Sequence, residues 1–272
     1  MGMFAYDRVA VSQPSLISLL FGSSEQGGLN LPSLSTCYTD NGTTLCTSPG
    51  DLVYRIDDLS GNGNHLIQAT TTKRPILRQD ESENYYLEFD GSDDGLASST
   101  AIDFSLSPQA SVFAGAMRTS LSTRGMLYEL TANATNTLIG SFGLRNPESA
   151  SILLRWEKAT GSGGVSQYKY TTDTDTTPVK QVISCIYDQQ EAATNQSVLP
   201  RLNNTVPTTT TAGANGSLSD GFANDTFYVG RRGGISMPFK GRLYCLIARA
   251  ALSDSGDIAA AETYINTLTG AY

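Results

Sequence analysis

The feature that most constrains this chain is a rhythm: short runs rich in β-branched and aromatic residues, closed off again and again by Gly, Pro, Asn or Asp. The runs are DLVYRID, RPILRQ, NYYLEF, SVFAGAM, GMLYEL, SILLRWE, VSQYKY, VKQVISCIYD, DTFYVG and GRLYCLIAR. Many strands at near-regular spacing with turn residues between them specify a sandwich or barrel. In NYYLEF, alternation sets Tyr85, Leu87 and Phe89 on one face and Tyr86 and Glu88 on the other. The rhythm breaks at the end of the chain. In SDSGDIAAAETYINTLTG, Asp254 is placed to cap a helix and Asp257 follows three residues on. Ile258, Ala261, Ile265 and Leu268 recur at helical spacing, and Gly270 supplies a stop. The expectation is an all-β sandwich carrying one C-terminal amphipathic α-helix. Residues 203–225 are polar and turn-rich and read as a long surface loop.

Charge removes several classes of function. With a net charge of −8 and no basic face in view, a nucleic-acid partner is not expected. No basic amphipathic helix points to an anionic membrane, and no apolar run has the length of a membrane span, so membrane insertion is not expected either. The apolar SLISLLFG has only Arg8 as a basic residue before it and no small-residue cleavage site after it, so it does not read as a signal peptide. The sequons at Asn41, Asn133, Asn195, Asn203, Asn215 and Asn224 are taken as a consequence of Asn, Ser and Thr abundance rather than as glycosylation sites.

Two of the four cysteines flank a hairpin signal in CYTDNGTTLC. A two-residue turn at Asn41-Gly42 pairs Asp40 with Thr43 and, counting outward, Cys37 with Cys46. That register puts the cysteines at a non-hydrogen-bonded site, where Cα atoms approach most closely. A cross-strand Cys37–Cys46 disulfide and two reduced thiols are both compatible with it. Cys185 and Cys245 sit in apolar runs and read as core residues.

Several stretches, taken together, resemble bacteriophage and prophage virion proteins that carry a concanavalin A-like, laminin-G-like domain. They are SSEQGG (23–28), DLSGNGNHLIQATTTKRPILRQ (58–79), YYLEFDGSDDGLAS (85–98), FYVGRRGGISMPFKGRLYCLIARAALS (227–253) and AAAETYINTLTGAY (259–272). They span residues 19–272, which the resemblance implies is one concanavalin A-like jelly-roll domain. Residues 1–18 are left as an N-terminal arm, a candidate for virion attachment. The sequence departs from the family around 28–47, where the cysteine hairpin stands in place of an aromatic, Asp-rich segment.

The densest candidate site is LEFDGSDDGLAS, with Glu88, Asp90, Asp93 and Asp94 in seven positions. Some β-glucanases on this fold carry Glu-x-Asp-x-x-Glu on a strand, where alternate positions share a face about 7 Å apart. Here the pattern fails after Asp90, because Gly91-Ser92 breaks the strand and a retaining hydrolase needs a second carboxyl about 5–5.5 Å away. The chain is therefore not read as an enzyme. Asp90, Asp93 and Asp94 remain candidate ligands for calcium, against the alternative of a turn whose side chains bond their own backbone. DLSGNGNH, with Asp58, Ser60 and Asn62, imitates the start of a calcium loop but lacks its terminal Glu. His65 is the only histidine and is read as structural. Tyr38, Tyr168, Tyr170 and Tyr187 are candidates for stacking on sugar rings, with packing as the competing role. Arg231 and Arg232, with Lys240 and Arg242, form a candidate basic patch for anionic glycans unless they bond turns or acids.

The resemblance implies a non-enzymatic virion-surface protein, a tail-fibre, tail or head-decoration component assembled in the bacterial cytoplasm. The expected partners are other virion proteins, further copies of itself (a trimer among the options) and host-surface glycan. A purely architectural decoration protein is the alternative.

Overall fold

The computed structural model describes residues 12–22, 25–132, 140–149, 153–159, 165–170, 177–191, 197–213 and 221–272. Two antiparallel sheets form a jelly-roll-like β-sandwich. The first is seven-stranded and comprises β1 (Gly27–Asn30), β5 (Ile76–Gln79), β6 (Tyr85–Asp90), β9 (Gln109–Arg118), β14 (Val179–Asp188), β15 (Val198–Leu202) and β19 (Lys240–Arg249). Its order is β15-β14-β9-β19-β6-β5, with β1 also paired to β19. The second sheet has ten strands: β2 (Cys37–Tyr38), β3 (Arg55–Ile56), β4 (Leu66–Ile67), β7 (Leu96–Ser98), β10 (Met126–Leu130), β11 (Phe142–Arg145), β12 (Leu154–Ala159), β13 (Val165–Tyr170), β16 (Thr209–Gly213) and β18 (Phe227–Val229). A small pair, β8 (Ile102–Asp103) and β17 (Asn224–Asp225), closes one side.

Each of the ten runs singled out in the sequence contributes a strand. Alternation decides what each strand buries. Leu87 and Phe89 of β6, Val112 and Ala114 of β9 and Ile183 and Cys185 of β14 point into the core between the sheets. They meet Tyr128, Leu130, Phe142, Leu144 and Trp156 from the second sheet. Phe142 stacks on Tyr187 with centroids 4.8 Å apart and meets Phe222 edge-on at 5.1 Å, geometries that aromatic rings favour.

The outer face of the first sheet is apolar as well, and helices cover it. The C-terminal helix α2 (Ser255–Thr269) starts where the sequence placed it, with the Asp254 carboxylate accepting the Gly256 and Asp257 N–H groups at 2.7 and 2.9 Å. It ends at Gly270, whose φ of 60° is a left-handed conformation that glycine adopts without strain. Helix α1 (Gln13–Phe21), which the strand rhythm did not announce, packs beside it. Leu16, Leu20, Ala261 and Ile265 share a second core with Phe113, Val182, Cys245 and Ile247. Gly115 of β9 is the point of closest approach: a Cβ there would lie 2.7 Å from Ile265 Cγ2 and 3.0 Å from Thr269 Cγ2.

Three expectations need correction. Residues 13–18, assigned to an attachment arm, begin α1 and bury Leu16; residues 1–11 lie outside the described residues. Within the proposed surface loop at 203–225, Thr209–Gly213 is a strand paired with β13. The cysteine hairpin keeps its pairing but inverts its hydrogen-bond pattern. The loop is held by the Asp40 carboxylate, which accepts the N–H groups of Gly42, Thr43 and Thr44 at 3.1, 2.8 and 2.9 Å. Those bonds open the tight turn, so Thr39 N–H bonds to Thr44 and Cys46 N–H to Cys37 (2.9 and 2.8 Å). Tyr38 and Leu45 become the close, non-hydrogen-bonded pair. Cys37 and Cys46 stand as buried free thiols, and burial pushes Cys37 up to about 12.

Candidate functional site

Helix α2 stops over Gly115, and the next outward-facing residue of β9, Met117, is left outside its cover. The sheet register fixes what surrounds it. Met117 is the direct partner of Lys180 on β14 and of Arg242 on β19, and Arg242 is in turn the partner of Glu88 on β6. Direct partners project to the same face, so Glu88, Arg242, Met117 and Lys180 form one row across four strands. Three strand spacings make that row about 14 Å long.

A β-bulge shapes the floor. Register on β19 shifts between Leu243 and Cys245, leaving Tyr244 as the extra residue. Its ring lies 5.3 Å from that of Tyr86, at 43°, and 5.8 Å from Lys180 Nζ. The Arg242 guanidinium lies 4.5 Å from the Tyr86 centroid, a cation–π arrangement that orients it. Next to β5, Asp80 folds the connection into β6 by accepting the Ser82 and Asn84 N–H groups on Oδ1, both at 3.0 Å. Its Oδ2 is buried without a hydrogen-bond donor and sits 3.7 Å from Lys180 Nζ.

Together these groups enclose a hollow of about 310 Å³, with Asp80, Ser82, Tyr86, Met117, Lys180 and Arg242 in its wall. A second hollow of about 140 Å³ adjoins it, lined by Glu88, Asp90, Asp94, Thr119, Lys240 and Arg242. Arg242 belongs to both and makes them one cleft. The larger part alone reaches the lower end of the range for small-molecule sites, about 300–1,000 Å³.

The acid turn forms the far end of this cleft. Carboxylate oxygens of Asp90, Asp93 and Asp94 lie within 4.8 Å of one another. Much of their bonding is internal: Asp94 Oδ2 accepts the Asp90 N–H at 2.9 Å, and Asp90 Oδ1 accepts those of Ser92 and Asp93 at 2.7 and 3.3 Å. Asp94 is 6% exposed, and burial, with lesser help from the charges of Asp90, Asp93 and Glu88, lifts its carboxyl to about 6. Glu88 is held by Arg78 at 2.9 Å.

The other sequence candidates lie elsewhere. Arg231 donates to the carbonyls of Asp93 (3.2 Å) and Ile235 (2.8 Å). Arg232 is buried 3.4 Å from Glu129, whose carboxyl burial pushes up to about 8. These two arginines therefore serve a turn and a buried acid. Tyr187 is fully buried, its hydroxyl against those of Tyr128 (3.0 Å) and the Gly143 carbonyl (3.1 Å), and offers no surface for stacking. Tyr170 is half-buried against the core, and the side chain of Tyr168 lies outside the described residues. Tyr38 is half-buried on the second sheet, donating to Asp57 at 3.1 Å beneath Arg55. Asp58 accepts the N–H groups of Leu29, Ser60 and Asn64, each at 2.9 Å, so in the calcium-loop imitation the Asp58 carboxylate is taken up by backbone N–H groups of its own turn and of β1. His65 Nδ1 accepts the Asp58 N–H at 3.1 Å within that same turn. Of the cleft, the sequence had marked Asp90, Asp94, Glu88, Lys240 and Arg242 but not Asp80, Tyr86, Met117 or Lys180.

No protein-family model and no curated protein matches the sequence. Solved structures do match in fold. A botulinum neurotoxin serotype D binding domain aligns over 91% of this chain and 52% of its own, with a TM-score of 0.58 at 9% identity. The serotype D ligand-binding domain in complex with N-acetylneuraminic acid aligns over 91% and 52%, with a TM-score of 0.54 at 11% identity. Domain 4 of AbnA, a GH43 extracellular arabinanase from Geobacillus stearothermophilus, in complex with arabinotriose, aligns over 90% of this chain and 100% of its own, with a TM-score of 0.53 at 15% identity. The chain thus spans about half the length of the neurotoxin domains it matches. At these identities the likeness establishes the β-sandwich fold.

Proposed function

We propose that this protein is a non-enzymatic glycan-binding β-sandwich displayed on a bacteriophage virion, and that the cleft over Met117 is where glycan docks. The cleft carries the reading. Sugar hydroxyls demand paired donors and acceptors, because a polar group left unpaired on burial costs about 1–3 kcal/mol. Lys180 and Arg242 are donors, Asp80 Oδ2 is an acceptor without a donor, and Tyr86 gives an aromatic wall. The carbohydrate ligands named for the arabinanase domain and the serotype D domain are in keeping with this use of the fold.

Hydrolysis has no comparable support. Glu88, the acid that resembled a glucanase residue, is engaged by Arg78, and the neighbouring acids fold a turn. The virion setting rests on the sequence resemblance set out above. The test is a glycan screen with the purified protein, followed by adsorption of the intact protein to bacterial cells. Saturable glycan binding that Lys180→Met weakens at least tenfold supports the reading. Absence of binding to both glycans and cells would leave a purely architectural role.

A further inference from the structure

Arg242 is unlike every other described arginine. Arg145, Arg155, Arg201, Arg232 and Arg249 are each paired with a carboxylate, at 2.7 to 3.4 Å. Arg55, Arg78 and Arg124 are paired in the same way. Arg74, Arg118 and Arg231 donate to backbone carbonyls. Arg242 has neither kind of acceptor among the described residues: the Tyr244 hydroxyl is its hydrogen-bonding neighbour, and Glu88, its cross-strand partner, is ion-paired with Arg78. A guanidinium whose acidic neighbour, Glu88, is ion-paired elsewhere keeps N–H donors for an incoming anion. Tyr86 holds the guanidinium at the junction of the two hollows, so little side-chain freedom is lost when a ligand arrives.

We propose that the cleft selects saccharides bearing a carboxylate, of the uronic or sialic acid type, with the acid group on Arg242 and the sugar hydroxyls reaching Asp80 and Lys180. This deepens the glycan reading of the same cleft and rests on it. A planar guanidinium matches a carboxylate in bidentate fashion. Asp80 Oδ2, without a donor of its own, suits a hydroxyl and would repel a second anionic group. The charge of the rim sets the limit on the ligand. Asp80, Glu81, Glu88, Asp90 and Asp94 border the two hollows against Lys180, Lys240 and Arg242. A group with a single negative charge is therefore tolerated better than a phosphate with nearly two.

The experiment compares oligogalacturonates and N-acetylneuraminyl oligosaccharides with their carboxyl-reduced counterparts, alongside sugar phosphates, by calorimetry at low salt. The expected result is at least tenfold tighter binding of the carboxylated forms. Arg242→Gln should abolish that preference and Arg242→Lys should retain part of it, with unchanged circular dichroism and melting temperature certifying both folds. Equal affinity for the reduced sugars, or a preference for phosphates, overturns the carboxylate assignment and leaves the glycan reading intact. If no saccharide in either set binds, both fall together.

Discussion

The acid turn yields a prediction whose sign is fixed by burial. Asp94 is raised from the ordinary aspartate value of 3.8 to about 6 because ionising it in its buried position is unfavourable. The folded state thus holds the proton more tightly than the unfolded chain. Stability falls as pH rises between those two values and stays at its lower level above them. About two units at 1.36 kcal/mol each gives about 3 kcal/mol. Because Asp94 borders the smaller hollow, where water screens its charge, about 1–2 kcal/mol is the realistic share. Asp94→Asn keeps an oxygen for the Asp90 N–H, now 2.9 Å from Asp94 Oδ2, and removes the charge. In chelator-treated protein at about pH 7.5 it should melt roughly 2–8 °C higher than the parent, and the two should converge below about pH 4. Thermal unfolding followed by circular dichroism across that range is the assay. A variant that melts at or below the parent at pH 7.5 would refute the reasoning, because the ionised carboxylate would then carry no penalty. Calcium chloride extends the test to the metal expectation: a cation on Asp90, Asp93 and Asp94 reverses the sign, making the parent the more stable protein only when calcium is present.

Three further outcomes follow from the packing. Tyr187→Phe removes the bonds at 3.0 and 3.1 Å to Tyr128 and Gly143 and should cost about 1–3 kcal/mol in urea unfolding, with glycan affinity unchanged. Altered affinity at constant stability would mean that Tyr187 reaches ligand after all. Gly115→Val places methyl groups where even a Cβ would be 2.7 Å from Ile265; lifting α2 off β9 should cost about 1–3 kcal/mol, and an unchanged urea midpoint would contradict the close approach. Thiol titration should find four reactive cysteines in denaturant without reductant, with slow reaction in the native protein. Two reactive thiols would instead show that Cys37 and Cys46 are joined.

What the sequence revealed and what it concealed divide by the distance between partners. The strand runs and the C-terminal helix were legible because alternation, an N-cap and a glycine stop are local signals. The acid turn was legible for the same reason, since Asp94 bonds to a backbone group four residues away. Arg231 and Arg232 stood out as charges, but their occupation did not: the Asp93 carbonyl lies 138 positions from Arg231, and Glu129 is likewise far in sequence from Arg232. The hairpin misled because Asn41-Gly42 is a strong turn signal, yet Asp40 offered its carboxylate to three N–H groups and changed which pairs are hydrogen-bonded. The cleft combines these difficulties. Asp80, Tyr86, Met117, Lys180 and Arg242 come from separate strands and connections, and all but Arg242 read alone as ordinary surface or core residues. Only the register that sets Lys180 and Arg242 on either side of Met117 brings them together. The bulge at Tyr244 then reverses the expected facing of Cys245 and Leu246, sending Cys245 beneath α2 and Leu246 into the sandwich. A period-two reading of GRLYCLIAR assigns both to the wrong side, so the floor of the cleft could not have been drawn from alternation, however carefully it was applied.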